Sequence, residues 1–485
     1  MKYLMNVKQM KEIDRYSIQE VGIPALVLME KAAEEIARLL GENLTEKEEI
    51  LAVCGTGNNG GDAVAAVRIL HEKGYKTAVC VIGDESKASE EMKKQLLIAR
   101  NCGVSMRGKE AIREYNIIID GLFGVGLSRE VTGEYREVIE QINKEAHRVI
   151  AVDVPSGING DNGKVMGVAM KAEATVTFGY GKLGLYLYPG CEYAGKVLIK
   201  DIGFPKKAEH WVKPDCFFYE KEDLDKLPQR KAYSNKGSYG KLLVVGGAKG
   251  MSGACILAAK AALRSGAGLV KIVAAEENRM IVQSCLPEAM FASWEELEKE
   301  LFWADAVVLG PGLSQTEESA KIFEIVWKQT QLPLVLDADG LNLLAKLGGM
   351  DYSKRSNVIF TPHLKEMERI SGYLVKELQE KFLEIARACG EKDRILVLKD
   401  ARTVVSDGEQ LYLNVSGNHA LAKGGSGDVL SGIIGGFLVQ GADLFTAASL
   451  GAFVHGLAAE HFVETKSAYS LMAGELTEEV KWILP

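Results

Sequence analysis

The run Ala422-Lys-Gly-Gly-Ser-Gly-Asp428, followed by an apolar helical stretch from Val429, combines residue types suited to phosphate chemistry. Its three glycines let the main chain turn tightly and aim N–H groups at one point, where a helix also begins. Such a hole attracts anions. Asp428 carries the wrong charge to bind a phosphate, so its expected task is to take a proton from the group that attacks one. The implied chemistry transfers a nucleotide phosphate to a hydroxyl.

A second constellation lies in the first half of the chain. Gly55-Thr-Gly57-Asn58-Asn59-Gly60-Gly61-Asp62 satisfies G-x-G-x-x-G after the expected strand Ile50–Cys54, and Asp84 follows the next strand where a ribose-binding acid belongs. A dinucleotide-binding dehydrogenase therefore stands as one reading. The two amides and the carboxylate of Asn58–Asp62 point elsewhere, because they offer oxygens to a hard cation or to hydroxyls. Asp120, before Gly-Leu-Phe-Gly124, and Asp153, before Val-Pro-Ser156-Gly, end two further β-branched runs. Either acid alone also fits a turn cap; three such loops in one half favour a shared site.

These residues need elements to hold them. From Ile50 onward short β-branched runs alternate with helical patterns, which predicts parallel sheets with crossover helices. Expected strands in the first half are Ile50–Cys54, Thr77–Ile82, Ile117–Asp120, Val149–Asp153, Thr175–Phe178 and Val197–Ile199, with helices over Ala63–Lys73 and Glu134–Lys144. The pattern breaks after Phe204, which places a linker near 210–230 between domains 1–212 and 225–485. A second series comprises Lys241–Val245, Leu269–Val273, Ala306–Leu309, Leu334–Asp337, Val358–Phe360, Arg394–Leu398 and Thr403–Val405, with a helix over Ala254–Arg264. In open α/β sheets ligands sit beyond the carboxyl ends of strands, where all these motifs fall.

In the second half, Gly246-Gly247 leads to Ser252-Gly253-Ala254, and Gly310-Pro311-Gly312 ends another strand. Asp337 and Asp339 suit either Mg²⁺ or turn capping. His363, after Thr361-Pro362, is read either as structural or as a ligand contact, and Lys399-Asp400-Ala401-Arg402-Thr403 suits nucleotide phosphates.

Taken together, Gly22-Ile-Pro24, Leu28-Met-Glu30, Asn58–Asp62, Asp120–Gly124, Asp153–Gly157 and Thr177-Phe-Gly-Tyr-Gly-Lys182 resemble the NAD(P)H-hydrate epimerase family over about residues 1–210. The resemblance implies a Rossmann-like three-layer α/β domain that interconverts the R and S hydrates of NADH and NADPH. It further implies K⁺ on Asn59, Asp120 and Ser156, a hydrate site lined by Asn58, Asn59, Gly60, Gly61, Asp62, Gly124, Val125, Gly126, Leu127, Ser128, Arg129, Glu130 and Asp153, and Asp153 as acid/base.

From Lys236-Gly-Ser-Tyr-Gly-Lys241, through Ala261–Val270, Gly310–Leu313 and Thr361–His363, to Gly425–Gly432, residues 225–485 are similar to ADP- or ATP-dependent NAD(P)H-hydrate dehydratases. That implies a ribokinase-like α/β domain. Ala254, Gly312, His363 and Asp428 would meet the S hydrate, Lys399, Asp400, Ala401, Arg402, Thr403 and Gly427 the nucleotide, with Asp428 as base. Mg²⁺ and ADP (or ATP) are the implied cofactor and co-substrate, with AMP and phosphate as products from ADP. Two departures stand out: Leu364-Lys365 replaces the family's Pro-Gly, and Asp400 its glycine. A vitamin or sugar kinase, a dehydrogenase and a catalytic half joined to a binding module are the rival readings.

Composition sets outer bounds. Across 485 residues, 47% hydrophobic and 26% charged, there is material for two or three domains with ample cores. A net charge of −8 argues against nucleic-acid or anionic-membrane partners. The eight cysteines form no C-x-x-C pair and are expected to be buried thiols in a reducing cytoplasm, without a disulfide framework. A homo-oligomer is expected.

Overall fold

The computed structural model describes residues 1–42, 48–145 and 147–485. The chain forms two compact units, one comprising Lys2–Pro214 and the other Asp215–Pro485 together with Met1.

The strands of the first unit are β1 (Lys2–Met5), β2 (Glu49–Cys54), β3 (Lys76–Val81), β4 (Ser105–Met106), β5 (Ile117–Gly121), β6 (Arg148–Val152), β7 (Ala174–Phe178), β8 (Gly181–Lys182) and β9 (Lys196–Lys200). Its main sheet has the order β4-β3-β2-β5-β6-β7-β9 and is parallel throughout. Strand order reverses between β2 and β5, so the loops after those two strands diverge to opposite faces and leave a crevice. β1 and β8 make a small parallel pair in which Met5 lies opposite Lys182.

The second unit contributes β10 (Cys216–Phe218), β11 (Lys241–Val245), β12 (Leu269–Ala274), β13 (Met290–Ser293), β14 (Ala306–Leu309), β15 (Leu334–Leu336), β16 (Val358–Phe360), β17 (Arg394–Leu398), β18 (Val404–Ser406) and β19 (Leu411–Leu413). The order β13-β12-β11-β14-β15-β16-β17 is parallel and reverses between β11 and β14. β18 and β19 extend it antiparallel, and β10 pairs with β19. β10 lies inside the stretch expected as linker.

Buried apolar strands on both faces explain why these sheets read as near-continuous hydrophobic runs. The short strands β10, β13 and β19 escaped the sequence reading because three or four residues leave almost no periodicity to detect. Two helices begin most of a turn or more earlier than expected. The first spans Asn58–Glu72 rather than starting at Ala63, and the second Ser426–Val439 rather than starting at Val429. In each the glycine motif itself forms the first turn. A Cβ on Gly60 would stand 2.3 Å from the Gly55 oxygen, and one on Gly432 2.1 Å from the Ala258 oxygen, so glycine lets these helices pack tightly.

Candidate active sites

At the first crevice the loops after β2 and β5 touch through glycine: a Cβ on Gly55 would lie 2.2 Å from the Leu122 oxygen. Beside this seam opens a cleft of about 710 Å³. Asn58, Asn59, Asp62, Gly124, Val125, Gly126, Leu127, Ser128, Arg129 and Asp153 all line it, together with Asp14 and Lys182. Gly60, Gly61 and Glu130 do not. Gly61 is backed by Met29, whose Cε would be 2.7 Å from an added Cβ, and Glu130 points to solvent. At Gly60 and Gly61 the motif provides packing room.

Asp153 sits just past β6 with φ of 64°, a left-handed conformation that aspartate adopts more readily than most residues. Its Oδ1 accepts from Thr177 Oγ1 (3.1 Å) and the Phe178 amide (3.4 Å), and Lys182 Nζ stands 2.6 Å away. Lys182 is only 1% exposed and also donates to Thr177 Oγ1 and the Phe178 carbonyl, both at 2.9 Å. A buried ammonium requires a paired charge, and Asp153 supplies it. Asp14 is pushed up to about 6, chiefly by burial and then by the Asp153 charge. Asp62 is raised well above the usual carboxylate range by the same two causes. The cleft thus gathers three carboxyls around one buried lysine.

Asp120 and Ser156 lie beneath the cleft, both fully buried. Asp120 accepts from the Ser156 amide (2.8 Å), Ser156 Oγ (2.5 Å) and the Leu122 amide (3.3 Å). Asn59 Nδ2 donates to the Phe123 carbonyl at 3.1 Å, and its Oδ1 faces Gly124. Burial nevertheless pushes Asp120 up to about 6 against these hydrogen bonds. A carboxylate, a hydroxyl, an amide oxygen and a carbonyl here form an all-oxygen set of the kind a hard cation takes. Asp84 is occupied in a turn, accepting from the Ser86 amide and hydroxyl (3.0 and 2.7 Å).

The second crevice repeats the glycine seam. A Cβ on Gly246 would lie 2.0 Å from the Pro311 oxygen, and the Gly247 amide donates to that oxygen at 3.0 Å. Gly312, with φ of 61°, lies against Met251 and Ala254, so Ala254 and Gly312 are brought together. The helix Ser426–Val439 opens on Gly425, in the left-handed region and without a side-chain cap. The amides of its first turn have no carbonyl within the helix.

Asp428 lies in that turn and is pushed up to about 7, first by burial and next by Asp337, with Lys399 opposing. Lys399 Nζ pairs with Asp337 Oδ1 at 2.9 Å and would stand 3.3 Å from a Cβ on Gly427. Asp337 also accepts from Thr361 Oγ1 at 2.8 Å. Asp339 serves turn capping: it accepts from the Ser314 amide (2.8 Å). Arg402 donates to the Val415 carbonyl (2.9 Å), while Asp400 and Ala401 are exposed and Thr403 leads into β18. Asp400 is absent from the left-handed region, so its replacement of glycine costs no backbone strain.

His363 caps the helix Leu364–Ser371. Its Nδ1 accepts from the Lys365 and Glu366 amides (3.1 and 3.3 Å), and Glu366 returns a carboxylate to the His363 amide (2.9 Å). The capping leaves Nε2 near Glu366 Oε1, 3.3 Å away, on a half-exposed ring. Lys365 is exposed, and Leu364 simply begins the helix.

Two contributors were not singled out by the sequence. His455, in the helix Leu444–Thr465, donates from Nε2 to the Ser426 carbonyl at 2.9 Å and is pulled down to about 4 by burial. It pins the first turn of the helix Ser426–Val439 from behind as a neutral donor. Asp14 lies on a helix ahead of every recognisable motif.

Fold and sites define the chain as a Rossmann-like unit fused to a ribokinase-like unit. The NAD(P)H-hydrate dehydratase family matches residues 242–481, and the family described as YjeF-related protein N-terminus matches 25–184. The bifunctional NAD(P)H-hydrate repair enzyme of Coxiella burnetii is 37% identical over 484 residues, covering 98% of each chain. That of Escherichia coli is 30% identical over 492 residues, covering 97% of this chain and 92% of its own. The ADP/ATP-dependent NAD(P)H-hydrate dehydratase of Bacillus subtilis, crystallised with ATP and Mg²⁺, is 35% identical with a TM-score of 0.50. It covers 55% of this chain and 96% of its own. A ribokinase-like protein of Enterococcus faecalis gives a TM-score of 0.50 at 27% identity, covering 56% and 95%. The chain belongs to the bifunctional NAD(P)H-hydrate repair enzymes, with an epimerase unit and a dehydratase unit. Among the described residues no helix is long and apolar enough to cross a membrane.

Proposed function

We propose that residues 1–212 invert the R hydrate of NADH or NADPH to the S form, and that residues 225–485 dehydrate the S form at the expense of ADP, giving AMP and phosphate. The observation that carries the second step is Asp428: a carboxyl raised to about 7 in the open first turn of an uncapped helix, beside the Lys399–Asp337 pair. Such a group accepts a proton near neutrality. It takes the proton of the hydrate's ring hydroxyl as that oxygen attacks the terminal phosphorus and AMP leaves. The Gly425–Asp428 amides and Lys399 stabilise the charge developing on the transferred group. The ring nitrogen's lone pair then expels phosphate, and loss of a proton from the neighbouring carbon restores the reduced nicotinamide.

Ala254, Gly312 and His363 meet the hydrate in this reading, and Lys399–Thr403 with Gly427 meet the nucleotide. Asp337 and Asp339 are already engaged with Lys399, Thr361 and Ser314, which favours Mg²⁺ held mainly by the nucleotide's own phosphates. In the first unit Asp153 presents its second carboxylate oxygen as base, while Asn58, Asn59, Asp62 and Gly124–Arg129 form the surrounding wall. Asn59, Asp120 and Ser156 would hold K⁺, which would favour the charged form of Asp120. We also propose a homo-oligomer; a 52.8 kDa particle in light scattering would reject it.

The test supplies an R/S mixture of NADH hydrate with K⁺, Mg²⁺ and either ADP or ATP. Reappearance of reduced nicotinamide with one phosphate per hydrate, continuing past the S fraction, supports both halves and identifies the nucleotide. Recovery that stops at the S fraction removes the epimerase assignment. Recovery with neither nucleotide removes the dehydratase assignment.

A further inference from the structure

We infer that Asp14 is a second proton carrier of the epimerisation, acting with Asp153 on the hydrated ring carbon. This rests on the reading of the first unit as the epimerase and of Asp153 as its base.

The helix Val7–Arg15 is built to hold one face against the cleft. It follows β1, whose Met5 lies opposite Lys182. Asn6 caps it, accepting from the Gln9 amide (2.8 Å) while Gln9 accepts from the Asn6 amide (3.0 Å). The Val7 amide donates to Asp161 Oδ1 at 2.6 Å. Met10 and Ile13 are buried with Met5 and Ala208. Met10, Lys11 and Asp14 consequently line the cleft from one face of this helix, and Ile18 lines it from the helical segment Tyr16–Glu20 that follows.

Asp14 differs from Asp153 in its partners. Asp153 has three donors gathered at Oδ1. Among the described residues no hydrogen bond reaches the Asp14 carboxyl; its field comes from Asp153 and Lys182, and in turn it acts on Asp62. Lys11 and Arg129 are the other charged side chains lining the cleft. One carboxylate in an ion pair, and one carboxyl raised to about 6 with no donor, give a base and an acid set by environment.

In this inversion the C–O bond of that carbon breaks on one face and re-forms on the other. Asp14 gives its proton to the hydroxyl, which leaves as water while the ring nitrogen's lone pair forms a C=N bond. Water adds to the opposite face and loses a proton to Asp153 as the nitrogen recovers its pair. One water leaves and one enters. The proton moved from Asp14 to Asp153 returns through solvent, and the reverse reaction exchanges the roles.

The test uses the full chain with purified R hydrate, and D14N, D62N and D153N variants. D14N is expected to lower the kcat for inversion by about 100-fold or more with KM little changed, and to abolish the loss of rate on raising pH above about 6. Dehydration of the S hydrate should continue at the wild-type rate. D14E, which restores a carboxyl, should recover part of the activity. If D14N fails to fold, judged by the melting of the first unit, D14S replaces it. Inversion by a folded D14N or D14S within threefold of wild type overturns the inference. So does a loss that falls on KM alone, or a rate loss confined to D62N. Absence of inversion by the wild-type chain would instead overturn the underlying assignment.

Discussion

Both units arrange their parallel strands in the same order, reverse it at the same point, and close the crevice there with a glycine against a backbone oxygen, Gly55 on Leu122 and Gly246 on Pro311. They differ in what approaches that crevice. In the first unit the helix that follows β2 directly brings Asn58–Asp62, and β1–β8 brings Lys182, so the cleft collects carboxyls around one buried cation. In the second the decisive helix begins at Ser426, long after the strands, and presents uncapped amides with one carboxyl. On the proposed reading the same scaffold serves proton transfer where side chains converge on it, and phosphoryl transfer where main-chain donors do. The glycine seam is common; the charge placed over it decides the chemistry.

The sharpest way to separate the two units is Asp428→Asn. It is expected to reduce dehydration by about 10²–10⁴-fold while R-to-S inversion persists, measured by separate assays on one preparation. Equal loss of both activities would break the separation. The same variant tests a cost of function. Because the folded value of about 7 exceeds the ordinary 3.8, Asp428 contributes stability below the lower value and loses it as pH rises through the higher one. D428N should melt above wild type at pH 8 and converge with it near pH 4. Dehydratase kcat/KM should rise through about pH 7 as the base ionises.

Lys182→Met comes next. It leaves Asp153 and Thr177 without their buried cation and should cost the first unit about 3–5 kcal/mol, seen as a lowered calorimetric transition, with inversion lost. Dehydration by the second unit should survive. The seams themselves predict smaller, parallel effects. Gly55→Ala and Gly246→Ala each force a methyl toward a backbone oxygen, and each should destabilise its own unit by about 1–3 kcal/mol. A change in one unit only would show that the seams are not equivalent. Smallest is His455→Phe, which removes the donor behind Ser426. The expected rise in nucleotide KM is a few-fold, about 1 kcal/mol, with inversion untouched.

The amino-acid sequence by itself determined the α/β class, most strand positions in both series, and the glycine–acid motifs, because each is written in neighbouring residues. β-branched runs, turn glycines and a carboxylate beside them are local signals; Asp120, Asp153 and Asp428 were legible for that reason. Only the tertiary structure decided which motif residues face a cleft. Gly60 and Gly61 carry the pattern yet lie behind it, whereas Asp14 and Lys182 reach it from elements far apart in the chain. It also decided the electrostatics. Asp337 becomes the partner of Lys399 across 62 residues and His455 the clamp of Ser426 across 29. A proton affinity depends on burial and on charges brought close by folding, and neither quantity exists along a linear chain.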